Sequence, residues 1–428
     1  MAMVTPAVWF GPVNCETIRV MKPSYSRRFF LRLAGVTAAA AAAPTSENAA
    51  ARPPFEVSAS LYAWDLHDEG IEKILDNLQQ MSAVNSVYLI ALMHYERRPL
   101  TSPEFTHNPV RKMWQAEDSR VYWLPDMKRY GRIKPRLSDF DWLNQTDWLQ
   151  TLVEAVRKRG LKTGVEISHT VLDLDRAKGE FIDCVQRDIN GAPRAVFGRA
   201  YPICLNSPDA RQYVLNMFQE LATRYDVDYL QTCTLPFMPG GADKGGCFCD
   251  SCVKTAREFG FDLAKARAVL KQNPTAQPEL GQWQEFRRDS VARYYKVMHD
   301  GIHAIRKNAD LRFNDCFNGA DWGLDLKRLK PHFDSIRVCD YSEQSGDPAR
   351  MKDKREWLTR ERAAVGQDFP IVSAVAVRPK ATPDLIREGV KIAVECGMNG
   401  ITLGHYDGAE FPMLRAIRDG LKATGKLG

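Results

Sequence analysis

Four cysteines, Cys204, Cys247, Cys249 and Cys252, have the side chains and the spacing to share one soft cation. The run Gly246-Cys247-Phe248-Cys249-Asp250-Ser251-Cys252 puts three thiols within six residues, with Cys204 well upstream. A closed structural zinc site takes four thiolates at about 2.3 Å from the metal, and this set supplies four. A disulfide needs Cα atoms about 4.4–6.8 Å apart with matched Cβ directions, which a Cys-x-Cys pair rarely meets. The expectation is one structural zinc per chain. A disulfide with spare thiols, or an unmetallated loop, is the competing reading.

A second chemical set is scattered along the chain at the ends of apolar runs. Tyr62 and Asp65 follow the first run, His94 and Glu96 the second, and Glu166 and His169 belong to the third. Asn314, Asp315 and Asn318 close the fifth run, and Asp340, Tyr341 and Glu343 close the sixth. Arg378 ends the seventh, and His405, Tyr406 and Asp407 end the eighth. Two carboxyl groups brought together can do acid and base work on a glycosidic bond, one protonating the leaving oxygen and one activating water or attacking carbon. Asp340, Glu166, Asp315 and Asp407 are the candidates for that pair, with Asp340 first because strand six ends abruptly in Asp340-Tyr341-Ser342-Glu343. Tyr62, His94, His169, Asn314, Arg378, His405 and Tyr406 are the candidates for binding substrate hydroxyls. Trp64, Trp114, Trp123, Trp142 and Trp322 could stack on sugar faces, although each is equally a core residue. Asp65 and Asp68 precede a helical stretch and read as caps.

The elements that must position these residues alternate. Short β-branched runs at 55–63, 85–92, 161–167, 227–233, 311–316, 334–339, 370–377 and 399–404 read as strands. Amphipathic stretches near 69–81, 146–159, 208–225, 284–307, 324–331, 348–364, 383–396 and 411–424 read as helices. Alternation of this kind gives a parallel sheet. Eight units give an α/β (β/α)8 TIM barrel, with long insertions after strands 2 and 4 at residues 93–145 and 234–283. A doubly wound sheet is disfavoured because no Gly-x-Gly-x-x-Gly follows a strand.

Residues 26–32, Ser-Arg-Arg-Phe-Phe-Leu-Arg, match a twin-arginine export signal, and the apolar stretch Leu33 to Ala43 follows it. Residues 1–50 are therefore read as signal and linker and 51–428 as the barrel domain, with Met21 a plausible start. The expectation is a periplasmic or secreted protein handled by the twin-arginine machinery, without a stable membrane anchor. The net charge is +6, and residues 1–50 contribute five basic and two acidic side chains to it. The remainder is too nearly balanced for a nucleic-acid binder. Ten cysteines in 428 residues are too few for a disulfide scaffold.

The segment Cys204-Leu205-Asn206-Ser207-Pro208-Asp209-Ala210-Arg211, followed by a helix, a strand and Cys-x-Cys-x-x-Cys, resembles the β-galactosidases of glycoside hydrolase family 42. The resemblance covers about fifty residues. It implies a TIM barrel, a zinc loop, a carbohydrate substrate and a homo-oligomer. It departs at the chemistry. The family's acid/base Glu ends the strand before the cysteine loop, where this chain reads Val227-Asp228-Tyr229-Leu230-Gln231-Thr232-Cys233-Thr234. The family's nucleophile ends strand seven, where this chain reads Ile371-Val372-Ser373-Ala374-Val375-Ala376-Val377-Arg378. The sequence thus points to an exported carbohydrate-active enzyme with a non-standard carboxylate pair. Two alternatives are a metal-dependent hydrolase or isomerase using His94, His169 and His405, and a non-catalytic sugar-binding barrel.

Overall fold

A computed structural model describes residues 54–93, 106–110, 120–167, 171–173, 179–194, 200–233, 236–316, 320–378 and 380–427. The twin-arginine motif, the following alanine-rich stretch, His94, Glu96, Trp114, His169 and Asn318 lie outside the described residues. Phe55–Gly428 forms one compact unit. Among the described residues no helix is long and apolar enough to cross a membrane.

Eight parallel strands make a closed ring. In chain order they are β1 Glu56–Leu61, β2 Ser86–Met93, β3 Lys162–Ile167, β4 Tyr229–Cys233, β5 Asp310–Asp315, β6 Ser335–Val338, β7 Ile371–Ala376 and β8 Gly400–Gly404. Each pairs with the next, and β1 pairs with both β2 and β8, so no barrel edge remains open. The outer helices are α1 Ile71–Ser82, α2 Trp148–Lys158, α3 Pro208–Arg224, α4 Glu279–His303, α5 Leu326–Leu329, α6 Arg350–Val365, α7 Pro383–Glu395 and α8 Phe411–Ala423. The expected (β/α)8 barrel is the observed fold, strand by strand.

Local sequence sets where the helices begin. Ser207 caps α3 by accepting from the Ala210 N–H at 3.4 Å, and Pro208 opens the first turn, where a missing N–H costs nothing. Thr382 and Pro383 repeat the device at α7, and Asp147 caps α2.

Side chains alternate between the lumen and the helix layer along each strand. The lower lumen is plugged. Arg312 of β5 makes two bonds to the Glu56 carboxylate at 2.7 and 3.0 Å, and its guanidinium lies 3.9 Å from the centre of the Tyr229 ring. The Tyr229 ring in turn occupies the space where a side chain at position 164 would stand, which is why β3 carries Gly164. Between strands and helices, α6 sends Lys354 inward. Its ammonium meets Glu343 at 2.8 Å and Asp340 at 3.5 Å and donates to the carbonyls of Asp340 and Ala374. Gly389 of α7 leaves room for the Glu343 carboxylate; a Cβ there would overlap Glu343 Oε1.

Insertions follow strands 2 and 4 as expected. The second contains helices Asp250–Glu258 and Leu263–Gln272. A third excursion, residues 168–207 after β3, contains an antiparallel pair, Val171–Asp173 with Ala200–Pro202, and was not anticipated. It delivers Cys204 to the cysteine loop.

Candidate active site and cysteine centre

At the upper end of the lumen, β3 presents Glu166. Its Oε2 accepts from Gln231 Nε2 of β4, from Asn314 Nδ2 of β5 at 3.1 Å, and meets Arg337 Nη1 of β6 at 3.4 Å. Three neighbouring strands therefore aim one donor each at a single carboxylate oxygen, and all four side chains are buried. Arg337 also donates to the Tyr341 hydroxyl, and its guanidinium lies 5.7 Å from the centre of the Tyr88 ring. Burial in this layer pushes the Tyr88 and Tyr341 hydroxyls well above the usual phenol range, so they stay protonated donors.

Beside Glu166, three thiols share the same lumen face. Cys233 ends β4, Cys316 follows β5 and Cys339 follows β6. Cys233 stands in register with Asn314, and Cys339 N donates to Asp315 O at 2.8 Å. The Cys316 thiol contacts those of Cys233 and Cys339, and this contact with burial holds it in the protonated form.

A second polar group stands on β1, β7 and β8. Asp407, in the turn Tyr406–Gly408, is buried, with Arg378 Nη2 3.5 Å from its Oδ1. Among the described residues no hydrogen-bond donor reaches either oxygen. Asp65 is buried nearby and accepts from the Tyr62 N–H at 2.9 Å. Burial, reinforced by the negative charge of Asp407, raises the Asp65 carboxyl well above the ordinary carboxylate range. The two acids thus form a buried pair whose mutual repulsion disfavours ionising both. Next to them the Tyr62 ring stacks between Trp64 (centroids 4.3 Å) and His405 (5.3 Å). His405 has φ of +49°, a region costly for a residue with a side chain, and is pinned by Ser60 Oγ, which accepts from its N–H at 3.0 Å.

The structure therefore divides the residues named from sequence. Glu166 and Asn314 come together in the lumen, Asp407 joins Arg378, and Tyr62 joins His405. Asp340 was expected to point into the mouth. Alternation with the lumen-facing Arg337 and Cys339 turns it instead toward the helix layer, where Lys354 engages it and Ser342 N donates to its Oδ1 at 2.9 Å. Asp315 alternates with Asn314 in the same way, and its charge acts on Glu361 of α6. The Tyr406 hydroxyl donates to Glu69 Oε1 at 2.9 Å and accepts from Asn77, away from the mouth. Trp64 and Trp123 are buried and offer no open stacking face, whereas Trp142 and Trp322 are partly exposed. Gln231, Arg337 and the three mouth cysteines were missed. Their signal was period-two spacing: each lies on the lumen side of its strand, in step with Asn314.

The four cysteines converge as expected. Cys204, Cys247, Cys249 and Cys252 are buried, with all four sulfurs within 4.8 Å of one another. Cys204 Sγ lies 3.3 Å from Cys249 Sγ and 3.5 Å from Cys252 Sγ, near the roughly 3.8 Å edge of a tetrahedron with 2.3 Å metal–sulfur bonds. Two N–H donors point at sulfur, Arg187 N at Cys247 and Asn206 Nδ2 at Cys252, each at 3.4 Å, which is where N–H groups that stabilise metal-bound thiolates stand. Bonds from the other three thiols hold Cys249 well below the usual thiol range, while Cys204 and Cys252 are raised. A buried four-sulfur cage of this kind fits a metal ion.

No protein-family model matches this sequence, and no curated protein matches it. Similar solved structures share its barrel. One is the PgaB (BpsB) glycoside hydrolase domain from Bordetella bronchiseptica, with TM-score 0.61 and 12% identity over 88% of this chain and 99% of that one. Another is α-L-fucosidase isoenzyme 2 from Paenibacillus thiaminolyticus, with TM-score 0.57 and 16% identity over 87% of this chain. A third is the GH42 β-galactosidase Gan42B from G. stearothermophilus, with TM-score 0.55 and 13% identity over 87% of this chain. The chain spans 50% of the fucosidase and 57% of the galactosidase. All three are TIM-barrel glycoside hydrolases, and the likeness is one of fold.

Proposed function

We propose that this chain is an exported glycoside hydrolase whose carboxyl groups are not those of the family 42 pattern. The observation that carries the reading is Glu166, one lumen carboxylate held by donors from three strands at the mouth of a barrel shared with glycosidases. In this reading Glu166 faces the positive charge that develops at the anomeric carbon and acts as nucleophile or base. The Asp65–Asp407 pair supplies the second carboxyl. Asp65 keeps its proton, which suits it to protonate a leaving oxygen, and Asp407 helps to hold that proton by repelling a second negative charge. Tyr62, His405 and Arg378 line the approach and would bind sugar hydroxyls.

The four-cysteine cage would hold one zinc ion, placed to pin the loops after β3 and β4 without touching substrate. The twin-arginine motif supports delivery to the periplasm or beyond in a folded state, with the metal already loaded. The test is turnover on a panel of glycans by the wild-type protein and by Glu166→Gln, with folding checked by circular dichroism. Cleavage by the wild type and a loss of about 10²–10⁴-fold in the variant would support the assignment. Sugar binding without cleavage by the wild type would replace it with a binding function.

A further inference from the structure

On the face of the barrel opposite the mouth, the end of α4 meets the start of β6. His299 and His303, four residues apart and so on one face of α4, stand over Asp334, the residue before β6. One ligand atom from each of the three lies within 4.8 Å of the others. His303 Nε2 is 3.0 Å from Asp334 Oδ2, and His299 Nε2 is 3.9 Å from Asp334 Oδ1. A tetrahedral zinc with bonds of about 2.0–2.1 Å sets its ligand atoms about 3.3 Å apart, in the middle of that span.

The outer nitrogens of both rings are already used. His303 Nδ1 stands 2.8 Å from the Lys307 carbonyl, and because a carbonyl oxygen has no proton to give, Nδ1 must be the donor. His299 Nδ1 stands 3.4 Å from the Asp300 carboxylate, where it is again the donor. Both Nε2 atoms are thereby turned toward Asp334. That carboxylate is itself fixed, because its Oδ2 accepts from Leu311 N at 2.8 Å. An Nε2 lone pair facing a carboxylate oxygen is repulsive unless a cation lies between them. A proton on His303 Nε2 would bond Asp334 Oδ2 but leave the His299 Nε2 lone pair facing Oδ1 at 3.9 Å, and a proton on each ring would place two imidazolium ions with centroids 4.1 Å apart. One divalent ion serves both rings and the carboxylate together.

We infer that His299, His303 and Asp334 form a second metal site, for a borderline divalent ion such as zinc, with Asp300 and Lys307 orienting the imidazoles. The ion would tie α4 to the start of β6, far from the chemistry at the mouth.

The experiment uses the full chain, dialysed against a chelator and then exposed to zinc. Bound zinc is counted in the wild type, in the double variant His299→Gln/His303→Gln, and in Cys252→Ser. The wild type should hold one ion more than the double variant, and Cys252→Ser should keep that ion. Asp300→Asn, at an exposed carboxylate, should weaken this zinc about 10–100-fold while leaving the cysteine-bound ion in place. In the wild type, zinc should protect His299 and His303 from acylation by diethyl pyrocarbonate, as read by peptide mass spectrometry, a readout that needs no variant. Acylation of both rings at equal rates with and without zinc would overturn the site. It would leave an imidazolium–carboxylate cluster.

Discussion

At the residue scale the mouth is unusual in how many donors it spends on one carboxylate oxygen. Glu166→Gln replaces an acceptor with an amide that cannot satisfy Arg337, Asn314 and Gln231 together. Loss of turnover by about 10²–10⁴-fold is expected, measured against a glycan found by screening. Asp340→Asn should behave differently. It removes one carboxylate from Lys354 but leaves Glu343 and two carbonyls in place. The expected outcome is a stability loss of about 1–3 kcal/mol in urea unfolding, with turnover within a few-fold of the parent. A collapse of activity with intact stability would return Asp340 to the catalytic pair. Glu361 gives a prediction about pH. Burial first, and then the charge of Asp315, pushes its carboxyl up to about 8 from 4.5. Between those values the unfolded chain has released this proton and the folded chain has kept it, so its contribution to stability falls as pH rises. Glu361→Gln keeps the acceptor for Trp357 Nε1. It should flatten the decline in unfolding free energy between about pH 4.5 and 8, on the order of 1 kcal/mol per pH unit.

At the element scale the helix layer is fitted around buried charge. Gly389→Ala puts a methyl group where Glu343 Oε1 stands, and because α7 is packed on both β7 and α8 neither partner yields easily. A loss of about 1–3 kcal/mol and a lowered melting temperature are expected. Most of this layer was legible in the sequence. All eight strands and eight helices declared themselves through β-branched runs and amphipathic spacing, whereas the Ser207-Pro208 and Thr382-Pro383 caps were recognised only in the structure. The direction in which each strand-end residue points was harder to read. A strand end is a change of face every residue, so Asp340 and Asp315 could be named but not aimed until Arg337 and Asn314 were known to look inward. The lumen polar residues were missed for a related reason: Gln231 and Arg337 lie inside strands, where a search confined to strand ends does not look. The segment 168–207 offered no periodicity, and only the thiol at Cys204 marked its destination.

At the scale of the whole molecule the cysteine cage is the principal cross-link between excursions, joining the segment after β3 to the loop after β4. Cys252→Ser, or removal of the ion by a strong chelator, should lower stability by more than about 2 kcal/mol while leaving substrate affinity nearly unchanged. Differential scanning calorimetry and a binding isotherm check the two halves of that statement. A fall in affinity as large as the fall in stability would mean that the loop touches substrate. The closure of the ring has a different consequence. Because Glu56 pairs with Gly400, and the Lys426 ammonium lies 5.4 Å from the centre of the Phe55 ring, the first and last parts of the barrel are neighbours in space although they are far apart along the chain. Contact order is therefore high, and the ring cannot seal until β8 has been made. The same adjacency makes the cut point arbitrary. A short linker joining the two ends, with new ends opened in the turn at residues 304–309, would rearrange the order of synthesis without moving a strand.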